Sequence, residues 1–152
     1  MTPYETAISG LAAALETELP LASDRLCDIE VDGRLVFLRP MGEAEDVLTM
    51  FTPVAKIPDD AECADEIKTR ALSMNLFGSG TLGGHLGLFA GSVILSAPQL
   101  EATGLGAESF AEQLLAFSRF AGEVEKKFAE QSAPTSDEAA PAPSIESGFI
   151  SV

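Results

Sequence analysis

The chain has 152 residues, is 46% hydrophobic and 22% charged, and sets 24 acidic residues against 9 basic ones. That size and composition give one globular domain with a real core, and no run approaches the roughly 18 apolar residues of a membrane span. A net charge of −15 argues against nucleic acid as a partner, and it also keeps a protein in solution while apolar surface is exposed.

The chain opens without a basic region leading into an apolar stretch, so no secretory signal is expected. Cys27 and Cys63 stand far apart with no CxxC pair, which suits reduced thiols and a cytoplasmic location. Thr2, Pro3 and Glu5 form a helix start: Thr2 caps, Pro3 suits the first helical position and Glu5 closes a capping box. Ile8, Leu11, Leu15 and Leu19 mark one face of that helix, and Pro20 is expected to end it. Cys27, Ile29 and Val31 then alternate with Asp28, Glu30 and Asp32 as a half-buried strand. Asp32-Gly33 signals a hairpin, residues 35–39 return as the second strand, and residues 47–54 form a third, with Pro53 at an edge or a bulge.

Asp59 with Glu62 caps a second helix, whose stripe Ala64, Ile67, Ala71 and Met74 is made mostly of small residues. Such a face packs on the sheet or on a copy of itself, so Ile67, Ala71 and Met74 are the candidate dimer interface. Residues 86–90 and 92–96 read as a second hairpin turning near Gly91. The strongest periodicity follows: Phe110, Leu114, Phe117, Ala121, Val124 and Phe128 lie on one stripe of a long amphipathic helix. Residues 132–152 shift to Ser, Ala, Pro and acidic residues with no base, which reads as a disordered acidic tail. The order is α-β-β-β-α-β-β-α, an α+β domain over residues 1–131 with helices against an antiparallel twisted sheet.

Three motifs reduce to structural readings. Residues 78–84 contain GxGxxG, but a helix precedes them and a strand follows, the reverse of a dinucleotide loop, so they are hinge glycines. Residues 28–33 resemble the opening of a calcium loop, yet the twelfth position from Asp28 is Arg39 rather than a bidentate Glu. His85 is the one histidine, and neither cysteine stands at ligand spacing from it, so no metal, cofactor or catalytic triad is expected. The informative feature is that strands two and three are apolar on both faces. Leu35 and Phe37 oppose Val36 and Leu38, while Val47 and Phe51 oppose Leu48, Met50 and Val54. A second apolar face is covered either by a second subunit or polypeptide ligand, or by the protein's own first and last helices.

Asn75, Gly83-Gly84, Leu86-Gly87-Leu88, Val93-Ile94-Leu95 and the helix from Phe110 to Ala121 resemble the small acidic chaperones of bacterial type III secretion, the Tir chaperone-like class that serves individual effectors. The resemblance covers roughly residues 3–130 in architecture. It implies a cytoplasmic homodimer without enzymatic activity that holds the N-terminal segment of a secreted effector extended over apolar patches. Combined with the two-sided strands, it points to Leu11, Leu15, Val36, Leu38, Met50 and Phe51 as the effector-binding residues. The competing reading is a fold-related binding or regulatory module for a folded partner, with an enzyme behind both.

Overall fold

The computed structural model describes residues 1–78 and 80–132. Helix α1 (Pro3–Ala14) starts as its sequence requires: the Glu5 amide donates to Thr2 Oγ1 at 3.1 Å and the Thr2 amide donates to Glu5 Oε2 at 2.9 Å. It ends earlier than Pro20. The Glu16 amide bonds to the Ala13 carbonyl and the Thr17 amide to that of Ala12, with Glu16 at φ +52°. This double bond closes the helix with a left-handed residue, a role usually held by glycine. Leu15 is therefore the C-cap, and Leu19 packs on the core from the following loop instead of extending the helical stripe.

Strands β1 (Cys27–Val31), β2 (Arg34–Met41), β3 (Val47–Lys56), β4 (His85–Phe89), β5 (Ser92–Ser96) and the short β6 (Leu100–Glu101) form one sheet in the order β1-β2-β3-β5-β4, with β6 on β3. All pairings are antiparallel. The first hairpin turns through Asp32 and Gly33, both at positive φ, the geometry that a tight type I′ turn demands. A register shift in the β3–β5 ladder falls between Pro53 and Ala55, where a residue without an amide donor is tolerated inside a sheet. The two-residue β6 had no pattern long enough to read.

Helix α2 (Ala61–Asn75) is capped by Asp60, one residue later than the sequence reading, with the Cys63 amide donating to its carboxylate at 2.9 Å. Helix α3 (Ala107–Ser132) buries all six residues of its predicted stripe. It packs on α1, β3 and β1, while α2 packs on β4. One core results, joining Tyr4, Ile8 and Leu11 of α1 to Val36, Leu38, Leu48, Met50, Val54, Val93 and Leu95 of the sheet and to the α3 stripe.

That core corrects several site expectations. Leu11, Val36, Leu38 and Met50 are 0–3% exposed, so they belong to the core that stabilises the fold. The even-numbered residues of β2 and β3 face the helices, and with both faces apolar the sequence left that parity open. Ile67 and Ala71 likewise join the core, leaving only Met74 of the expected dimer stripe partly exposed. The tail expected beyond the last helix lies, from residue 133 on, outside the described residues; Ser132 ends α3. Among the described residues no helix is long and apolar enough to cross a membrane, and no group of three metal-ligating side chains gathers. Cys27 is buried, Cys63 is exposed and both are free thiols.

Candidate functional site

The helices cover one face of the sheet, and the opposite face is built from the odd-numbered residues of β2 and β3. Phe37 and Phe51 are direct cross-strand partners there, their rings stacked at 5.3 Å and 19°. Such a pair contributes about 0.5–1.5 kcal/mol beyond its buried area. Continuing across the sheet, Phe51 pairs with Ser96 and Ser96 with His85, and Pro53 pairs with Ile94 and Ile94 with Gly87. Gly87 contributes no side chain opposite Ile94, which leaves the floor low. The result is a groove of about 690 Å³, with Phe51 and Ile94 in its floor, Met41 and Arg39 on one side and Phe89 and His85 on the other.

Phe51 and Phe37 are half-buried and Phe89 is 75% exposed. Leu35, on the same face, is 45% exposed. A solvated antiparallel face normally carries polar residues, so this one is shaped for an apolar occupant. Arg39 and His85 flank it as exposed bases in a strongly acidic chain. Beyond β2, the edge strand β1 turns exposed Asp28 and Glu30 to the same side, opposite Phe37 and Leu35.

The six expected effector-binding residues thus separate. Phe51 lies in the floor of the groove. Leu15 is 41% exposed at the end of α1, away from it, and the other four are core. Sequence reasoning missed Met41, Ile94 and Phe89, although the odd-numbered partners Leu35 and Phe37 had been recognised as a second apolar set.

The other sheet edge, β4, is closed differently. The Asn75 side chain accepts from the Leu86 amide at 2.7 Å and donates to the Leu86 carbonyl at 2.9 Å. A side-chain amide here takes the place of a neighbouring strand and fixes the end of α2 to β4. Around that junction Leu72, Leu76, Phe77 and Leu88 are 50–89% exposed, a second apolar surface. Arg25 bridges Glu5 and Glu45, and both carboxyls are held below the usual glutamate range, Glu5 chiefly by its hydrogen bond with the Thr2 amide and Glu45 chiefly by Arg25. Burial pushes the Cys27 thiol up to about 11, so it is inert at neutral pH.

Comparison with known proteins agrees with this fold. The model of the Tir chaperone protein (CesT) family matches residues 6–123. No curated protein matched the chain. Among solved structures the chain is similar to the Yersinia pestis type III secretion chaperone SycH, solved in complex with a stable fragment of YscM2, at TM-score 0.57 and 18% identity over 80% of this chain and 98% of that one. It is similar to a chain of the ExsC–ExsE complex at TM-score 0.64 and 20% identity, covering 83% and 96%. A chain of the ExoT–SpcS complex from Pseudomonas aeruginosa matches at TM-score 0.56 and 24% identity, covering 80% and 96%. At these identities the likeness is one of fold.

Proposed function

The chain belongs to the Tir chaperone protein (CesT) family, and from that premise we propose that it is a type III secretion chaperone whose outer sheet face holds the N-terminal segment of a secreted effector. One observation carries the reading: a sheet face free of helices, floored by the stacked Phe37–Phe51 pair and Ile94, in a chain otherwise rich in acidic residues. An extended segment lying there places alternate side chains against the apolar floor, and the edge of β1 offers backbone groups for strand pairing. Because the segment gives up conformational freedom, a few anchored apolar side chains supply most of the affinity. SycH and SpcS, whose folds this chain shares, were each solved with a partner polypeptide. The work needs neither catalysis nor a cofactor and belongs in the cytoplasm, before export.

The same reading includes a homodimer formed through α2 and β4. Leu72, Met74 and Leu76 of the helix end and Leu88 of the strand present the apolar surface, while Ile67 and Ala71 support it from beneath.

The test is affinity purification of the tagged chain from its native host. The wild-type chain brings down a secreted protein, bound through that protein's N-terminal segment. Phe51→Asp and Ile94→Asp each lose it while keeping the circular dichroism spectrum, since a carboxylate in a desolvated groove is costly. Folded variants that retain the partner in full would refute the reading.

A further inference from the structure

The groove on the outer sheet face has a charge pattern opposite to that of the chain. Its lining holds two basic side chains, Arg39 and His85, and no carboxylate, although acidic residues outnumber Lys and Arg by 24 to 9 in the sequence. Its other polar side chains, Thr49, Ser96 and Gln99, carry no charge. Among the described residues, ion pairs are made by Arg25 and Arg34, whereas the exposed Arg39 guanidinium and His85 ring have no partner. The acidic residues nearest on that face stand outside the lining: Asp28 and Glu30 on β1, and Glu101 of β6, which pairs with Val47.

The two basic groups sit on opposite sides of an apolar floor. Arg39 pairs with Thr49, while His85 pairs with Ser96, whose other neighbour is Phe51. Three strand spacings and one two-residue step therefore separate them, about 16 Å between Cα atoms, the length of about five extended residues. We propose, on the basis of the chaperone reading above, that Arg39 and His85 set the specificity of this groove: it takes an extended segment whose apolar anchors are flanked on each side by an aspartate or glutamate. The guanidinium fork of Arg39 matches a carboxylate and keeps its charge, and the His85 ring offers at least one N–H donor in either protonation state. A lysine or arginine at the same positions meets a like charge or lacks an acceptor, so the groove rejects as well as selects. The net charge of −15 by itself favours a basic segment. That long-range preference is screened beyond about 8 Å at physiological salt, which leaves the choice to the groups in the groove.

Three synthetic peptides test this, each an alternating Leu-Ser run flanked at both ends by Asp, by Asn or by Lys, with binding to the full chain read by calorimetry. The Asp peptide should bind several-fold more tightly than the Asn peptide and the Lys peptide most weakly, with the differences narrowing at high salt. In the double variant Arg39→Gln, His85→Gln the Asp and Asn peptides should bind alike, while Phe51→Asp should weaken all three. Equal binding of the three peptides to the wild-type chain, or a preference for Lys, would overturn the charge selection and leave the groove itself standing. Binding of none, or binding that Phe51→Asp leaves untouched, would remove the groove as the site and the proposal with it.

Discussion

Arg25 reaches Glu5 on α1 and Glu45 in the β2–β3 turn, and Thr2 adds a hydroxyl bond to Glu45 at 2.7 Å. Both carboxyls are held below their ordinary value of about 4.3. A depressed folded-state value contributes stability that is present above the unfolded value and lost as pH falls through the folded one. The urea midpoint of the wild-type chain should therefore fall as the pH is lowered below the ordinary carboxylate value of about 4.3, and Glu45→Gln should flatten part of that drop; an unchanged slope would mean that the network contributes nothing. Gly84 is the other decisive residue, because an added Cβ would lie 2.1 Å from the Ser96 carbonyl oxygen. Gly84→Ala should cost about 1–3 kcal/mol by forcing backbone apart, read from the thermal midpoint. The sequence showed these glycines as hinges, but the close approach to Ser96 arises only from the β4–β5 pairing and was not legible. The capping box at Thr2 was, because its bonds are local.

At the scale of elements, the long helix was readable because its stripe repeats over five turns and a single error cannot hide it. The end of α1 was not. Leu15 and Leu19 continue the helical spacing, and the stop is made by Glu16 in a left-handed conformation that few non-glycine residues adopt. Glu16→Gly should therefore stabilise the protein, by up to about 1 kcal/mol in chemical denaturation; a loss of stability would mean that the Glu16 side chain does more than occupy the turn. The covering of the sheet turned on a comparable ambiguity. Strands apolar on both faces do not reveal which parity meets the helices, so Val36, Leu38 and Met50 were expected at a binding patch and belong to the core. Phe51 has opposite parity to Met50 and so lies on the outer face, half-buried in the floor of the groove.

For the molecule as a whole, one face of the sheet carries the core and the other the groove, with a third apolar surface where α2 meets β4. Leu72 is 72% exposed there. If that surface joins two copies, light scattering should give twice the chain mass at micromolar concentration, and Leu72→Glu should halve it without unfolding the protein. A wild-type monomer across that range would remove the dimer from the account. The central claim is that the outer sheet face receives the effector segment, and methyl resonances of the chain report on it most directly. Adding the N-terminal segment of the co-purified partner should shift Met41, Ile94 and Leu35 and leave the core methyls of Leu11, Val36 and Leu38 nearly unmoved. Shifts centred on Leu72 and Leu76, with Met41 and Ile94 unchanged, would contradict it.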